Sequence, residues 1–191
     1  MQKLTTRLAG VDYKLGWSLQ VYKDISEATG VDFNHIRSSV FNAINDINTG
    51  LGKTPKFYGD VEESERDDFH LYATRYEADE ALSKYSTQFD LEFNERMTKL
   101  ISMADAARIF YCAAKACNSL VEKGEIDQGI IDQDKIDNAV FEEGIKPGGG
   151  YLYLVVQFIS WSYTQGQKDE VDEKKSGKRS FLQKFMQILS T

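Results

Sequence analysis

Apolar residues recur at helical spacing through most of the chain, and this periodicity constrains the fold more than any other feature. Ile36, Val40, Ile44 and Ile47 are spaced so that they share one face of a helix. A wider stripe between about Ala104 and Glu122 contains several alanines, which permit close helix packing. Only two prolines occur among 191 residues, which suits long helices. We therefore predict a mainly α-helical single domain of about seven helices.

Capping residues and glycines divide this pattern into separate helices. The predicted helices cover residues 18–29 before Gly30, 32 to about 49 before Gly50 and Gly52, a segment from about Tyr72, a next one capped by Asp90, 104–122 before Gly124, and one capped by Asp132 or Asp134. Residues 10–17 alternate loosely, which fits a short N-terminal strand or hairpin arm.

Residues 151–163 are apolar on all sides, so periodicity does not decide between a buried helix and a buried strand. β-branched and aromatic residues favour a strand, whereas the length and the helical surroundings favour a helix, which we prefer. The segment has 13 residues, whereas a bilayer span needs about 20, so we expect no membrane span. The N-terminal residues lack the apolar region of a secretory signal, and we therefore predict a cytoplasmic location.

The domain organisation predicted from these patterns is a helical domain over residues 1–165, a polar linker over 166–180 and an amphipathic C-terminal helix over 181–191. A helix this short must dock on its own domain, on a second copy or on a partner groove. This helix is the strongest candidate in the chain for binding a protein partner. The basic residues Lys178, Arg179 and Lys184 lie before and within it in the sequence. Its candidate partner-binding residues are Phe181, Phe185, Ile188 and Leu189.

Residues 53–70 form the first clear break in the helical pattern. Five acidic residues between Glu62 and Asp68 surround one arginine, which indicates a solvated loop or, alternatively, an acidic docking patch. Tyrosines flank this run, and Tyr72 and Tyr76 are further candidate partner-binding residues because tyrosine anchors interfaces well.

No catalytic constellation is visible in the sequence. The chain has only two His and two Cys, which nearly excludes the usual metal sites, and no residue has a recognisable nucleophile context. Cys112 and Cys117 are expected to be reduced thiols in the core. We predict a non-enzymatic protein without a cofactor or a metal.

Residues 22–40 have the pattern of a helix-turn-helix, with Gly30 as the turn glycine. Asn34, His35 and Arg37 would then face the DNA major groove. The net charge of −7 and the pI near 5.0 disfavour broad contact with phosphates, so DNA binding is an alternative hypothesis. A second alternative is an acidic inhibitor protein that mimics nucleic acid.

Two stretches of the chain resemble the tail assembly chaperones of long-tailed phages. Residues 12–30 are similar to the family's opening strand and its helix ending in Thr-Gly. Residues 105–123, followed by 126–141, are similar to its small-residue helix and the capped acidic helix after it. The resemblance covers about half the chain. It implies a chaperone that binds a tape-measure or tail-tube protein, self-associates and uses no cofactor.

Overall fold

The computed structural model describes residues 3–117, 131–146 and 150–168, with side chains described as far as residue 165. The chain is mainly α-helical with a short N-terminal β-hairpin, as predicted. Its elements are β1 (Lys3–Leu8), β2 (Val11–Gly16), α1 (Leu19–Thr29), α2 (Phe33–Leu51), β3 (Thr54–Phe57), β4 (Phe69–Tyr72), α3 (Arg75–Leu100), α4 (Met103–Lys115), α5 (Gln133–Gly144) and α6 (Gly150–Lys168). Two 3₁₀ turns, Tyr58–Asp60 and Glu63–Asp68, connect β3 to β4.

The N-terminal hairpin is antiparallel and has a two-residue turn. Leu8 faces Val11 across the ladder, and Ala9 and Gly10 between them have positive φ angles of 47° and 82°. Positive φ at both turn positions matches the right-handed twist of hairpin strands. Leu8 and Leu15 are fully buried, so the hairpin belongs to the core.

Local capping chemistry fixes several helix boundaries where the sequence predicted them, whereas the helix predicted over 104–122 ends at Lys115. The Ser18 hydroxyl accepts a hydrogen bond from the Val21 N–H, and Gly30 ends α1 in the left-handed region. Asp32 and Asp132 cap α2 and α5 in the same manner. These side chains satisfy N–H groups that have no partner within the helix.

The prediction of two helices after residue 72, with Asp90 as a cap between them, is wrong. Helix α3 runs unbroken for 26 residues, and Asp90 lies inside it. The Asp90 carboxylate instead accepts a hydrogen bond of 2.6 Å from the Tyr153 hydroxyl. No glycine or proline occurs in α3, so nothing in the chain interrupts the helix there.

The segment over residues 53–70 is more ordered than a solvated loop. Strands β3 and β4 pair in parallel, with Thr54 opposite Phe69 and Phe57 opposite Tyr72. Each strand has only four residues, too few for an alternating pattern to be recognised in the sequence. The acidic run forms the second 3₁₀ turn of the connection between them.

Helix α6 settles the ambiguity of the apolar segment in favour of a helix, and it lies at the centre of the molecule. The Phe158 side chain is fully buried and contacts the rings of Trp17, Phe33 and Trp161, with centroids about 6 Å apart. None of the helices over the described residues combines the length and apolarity of a membrane span.

Most buried apolar side chains belong to one cluster, formed by the hairpin, α1, α2, the second half of α3, α4, α5 and α6. We call this part the body. Residues 54–88, comprising β3, the 3₁₀ turns, β4 and the first half of α3, form a second part that we call the arm. The main contacts of β3 and β4 are with each other, with α3 and with the second turn. Val61 and Ala78 are buried in the arm but lie outside the main cluster.

Candidate interaction surface

The arm has few buried side chains, and cations stacked on aromatic rings hold much of it together. The Arg66 guanidinium lies 4.0 Å from the centroid of the Tyr58 ring. The Arg75 guanidinium lies 5.1 Å from the Phe57 ring and makes a 2.8 Å ion pair with Asp60. Such contacts contribute about 0.5–1 kcal/mol each at exposed sites. Arg75 therefore connects the start of α3 to β3 and to the first 3₁₀ turn.

All four basic side chains of the arm make contacts within the arm. Besides the two arginines, Lys56 lies over the Phe69 ring and Lys84 makes a 2.7 Å ion pair with Glu80. The arm contains nine acidic and four basic residues, a net charge of −5 of the chain's −7. Arg75 and Lys84 remain exposed, but the acidic side chains outnumber the basic ones, so the arm presents a predominantly acidic surface, with exposed acids at positions 62, 63, 67 and 79.

One face of α3 is exposed along its length from the arm to the body. We call this face the α3 stripe; its members are Tyr76, Glu80, Ser83, Thr87 and Leu91. The spacing of four, three, four and four residues places them on one side of the helix. Tyr76 and Leu91 are 79% and 67% exposed, so each end of the stripe presents a large apolar side chain to solvent. The small side chains of Ser83 and Thr87 between them leave room for another helix to approach closely.

The predicted partner-binding residues of the arm have different environments. Tyr76 lies on the α3 stripe, whereas Tyr72 is partly buried at the end of β4, where its ring contacts that of His70 at 5.0 Å. Tyr76 is therefore more available to a partner than Tyr72, whose partly buried ring also contacts the arm itself. The predicted residues Phe181, Phe185, Ile188 and Leu189 lie outside the described residues, as does the predicted linker from residue 169 onwards. The prediction that the linker begins at residue 166 is wrong, because residues 166–168 continue α6. Leu91 was not singled out from the sequence, because one leucine between polar neighbours carries no distinct signal.

The residues of the helix-turn-helix hypothesis lie at the start of α2, and two of them are exposed. The Asn34 amide donates to the Tyr22 hydroxyl at 3.3 Å, and that hydroxyl donates to the Asp32 carboxylate at 2.9 Å. His35 is exposed beside Asp32. The Arg37 guanidinium lies 5.2 Å from the ring of Tyr163 on α6. A carboxylate beside Asn34 and a ring against Arg37 are unfavourable surroundings for phosphate contacts.

A second exposed apolar area lies between α4 and α5. Met103, Ala107 and Phe141 line a shallow groove, and Phe141 is 58% exposed. Arg108 and Asp137 form its polar rim. The sequence analysis did not single out this groove.

Titratable groups in the core have structural roles. Cys112 and Cys117 are both buried free thiols, as predicted, and burial raises the pKa of each. Within the described residues, no group of three or more His, Cys, Asp or Glu side chains is arranged to hold a metal ion.

Glu143 connects the hairpin to α5 and α6. Its carboxylate accepts hydrogen bonds from the Ala9 N–H at 2.9 Å and from the Lys146 ammonium at 2.6 Å. Burial alone would raise the pKa of Glu143, but these two donors lower it below the ordinary value. A Cβ atom on Gly150 would come within 2.9 Å of the same carboxylate, so glycine lets α6 begin beside it.

Comparison of the chain with protein-family models, with curated proteins and with solved structures returns no match in any of the three. We therefore identify the arm and the α3 stripe as the candidate functional site from their geometry alone.

Proposed function

We propose that this chain is a non-enzymatic assembly chaperone or adaptor that binds an apolar, helical segment of another protein. The observation that supports it best is the α3 stripe, where Tyr76 and Leu91 are exposed about 22 Å apart along one helix. A helix can dock on such a face through apolar residues at intervals of three and four. Tyrosine and leucine then act as anchors, while Ser83 and Thr87 permit close approach.

The resemblance of residues 12–30 and 105–141 to phage tail assembly chaperones gives the proposal its biological setting. The partner would be a tape-measure or tail-tube protein, met in the host cytoplasm before the tail polymerises. Tyr72, Phe181, Phe185, Ile188 and Leu189 complete the proposed partner-binding set, and self-association belongs to the same hypothesis. Genes for a tape-measure and a tail-tube protein beside the gene for this chain are the expected genomic context, and a different neighbourhood would count against this setting.

The decisive test is co-expression of the chain with the tape-measure protein encoded beside it. The double variant Tyr76→Ser/Leu91→Ser should lose the ability to keep that protein soluble, because both anchors of the stripe are removed. The matched control is Val11→Ser/Leu19→Ser, which removes two exposed apolar side chains from the hairpin and α1. Equal solubility of the client with both variants would contradict the proposal.

A second candidate function is supported by the concentration of charge in the arm. An acidic inhibitor that mimics nucleic acid needs carboxylates on a defined scaffold, and the arm has a net charge of −5. This function predicts that replacing Glu62, Glu63 and Asp67 by Lys abolishes capture of a nucleic-acid-binding partner, whereas Tyr76→Ser/Leu91→Ser does not. The opposite pattern favours the chaperone.

A further inference from the structure

The C-terminal segment of the chain has a charge opposite to that of the arm. Residues 174–191 contain five basic and no acidic side chains, whereas the arm has a net charge of −5. Opposite charges of this size favour association, and the attraction weakens as salt screens it. The arm's own cations are already engaged with its rings and carboxylates.

The apolar pattern of the segment also fits the α3 stripe. As a helix, Phe181, Phe185 and Ile188 would share one face and extend for about 10 Å along it. The stretch between Tyr76 and Leu91 is about twice that long. Three apolar side chains therefore fit between the two exposed anchors, over Ser83 and Thr87 and beside Glu80, whose carboxylate accepts a hydrogen bond from Lys84 at 2.7 Å.

The chain that connects α6 to this segment is long enough for the segment to reach the arm. The ring of Tyr163, near the end of α6, packs on Phe41 of α2 at 5.5 Å between centroids. From Phe41, the end of α2 is about 15 Å away along the helix, and β3 begins three residues later. The twelve residues 169–180 span up to about 40 Å when extended.

We propose that residues 174–191 dock on the arm of the same molecule, with Phe181, Phe185 and Ile188 on the α3 stripe. This inference rests on the proposed function in one respect: the segment then covers the surface that a partner uses, so a partner must displace it. In this proposal the occupant of the α3 stripe is a basic, amphipathic segment, and a client segment of the same chemistry competes with it.

The test uses the full-length chain and needs no client. A zero-length carboxyl-to-amine cross-linker should join lysines of residues 174–184 to acidic residues of the arm, with a yield unchanged by tenfold dilution and strongly reduced in 0.5 M salt. In the variant Phe181→Ser/Phe185→Ser, amide hydrogen exchange across residues 75–91 should accelerate about tenfold, which corresponds to losing ~1.4 kcal/mol of docking. Leu19→Ser is the matched control and should leave both measurements unchanged.

Three results would overturn the inference. Absence of cross-links to the arm together with unchanged exchange shows that the segment does not dock there. Cross-links that disappear on dilution assign the contact to a second copy, and cross-links to Asp134, Asp137 or Glu142 place the segment on α5. Because client solubility is not measured, each of these results leaves the chaperone proposal standing, whereas failure of the co-expression test leaves the docking intact.

Discussion

The body and the arm of this molecule are stabilised by different physical means. The body buries Phe33, Phe110 and Phe158 completely, and its helices share one continuous apolar cluster. The arm buries little beyond Pro55, Val61 and Ala78, and relies on cations over exposed rings and on ion pairs. Burial stabilises the body largely independently of salt, whereas the arm's contacts are individually weak and partly screened.

This difference explains where a binding surface can exist. A side chain that contributes to a packed core is not available to a partner, and the body buries its core this way while leaving separate apolar side chains such as Leu91, Met103 and Phe141 exposed. The arm leaves Tyr58 and Tyr76 exposed because α3 extends beyond the helices that cover its second half. Segments with few buried contacts also open locally at low cost. The arm is therefore the more adaptable part of the molecule, and it presents Tyr76 to a partner.

The largest expected effect on stability comes from a substitution in the body. Replacing Phe158 by Ala removes a fully buried ring that contacts three other aromatic rings, and should lower the free energy of unfolding by ~3–5 kcal/mol. Urea denaturation measures this. The matched variant in the arm, Tyr76→Ala, should change it by less than about 0.5 kcal/mol. Similar losses in the two variants would show that the arm is part of the cooperative core.

The second effect concerns Glu143, which joins the hairpin to α5. Glu143→Gln should lower the free energy of unfolding by ~1–3 kcal/mol at neutral pH, because the buried Glu143 carboxylate loses a charge-assisted contact to the half-exposed Lys146. The folded-state pKa of Glu143 is depressed, so its contribution is present above the ordinary pKa of 4.5 and is lost as pH falls through the lower folded value.

The stability difference between wild type and Glu143→Gln should therefore be constant above about pH 5.5 and shrink below pH 4.5. Urea titrations at a series of pH values measure it. The exposed pair of Lys99 and Glu95 supplies the control, since Glu95→Gln should leave the free energy of unfolding nearly unchanged at every pH. A difference that grows towards acid pH would contradict the assigned role.

Local signals in the sequence predicted much of the body, because its boundaries depend on neighbouring residues. Ser18, Gly30 and Asp132 act within a few positions of themselves, and the hairpin needs only its turn and alternation. The hydrogen bond between Ala9 and Glu143 joins residues 134 apart, and no local pattern encodes it. The same reason explains Asp90, whose tyrosine partner lies 63 residues away.

The candidate site could be predicted only in part. Tyrosines beside an acidic run indicated a binding region, and Tyr76 is exposed as that hypothesis requires. The parallel pairing of β3 with β4 joins residues fifteen positions apart through strands too short to show a period. Leu91 became a candidate only when α3 proved continuous, because a helix break at Asp90 would have separated it from Tyr76.

The third prediction concerns the contact where α6 meets α3, beside the arm. Tyr153→Phe removes the hydroxyl that donates to Asp90 but keeps the ring stacked on Phe93 at 4.4 Å. The free energy of unfolding should fall by ~1 kcal/mol, since Asp90 is exposed and water replaces the lost donor. Tyr153→Ala should cost several times more, measured by the same urea denaturation, because the stacked ring is removed as well. Equal costs would assign the whole contribution to the hydroxyl.

The smallest effect should be confined to the arm. Arg75→Gln removes the ion pair with Asp60 and the cation over Phe57, and should weaken the arm locally by ~0.5–1 kcal/mol. Amide exchange over residues 54–72 should accelerate severalfold, while urea denaturation of the body stays unchanged. In 1 M salt the wild type should lose part of the same protection, because the ion pair is screened. Lys99→Gln removes an equally exposed ion pair at the other end of α3 and should leave exchange in the arm unaltered. If Arg75→Gln instead destabilised body and arm together, they would unfold as one unit, and the distinction between a packed body and a surface-stabilised arm would be wrong.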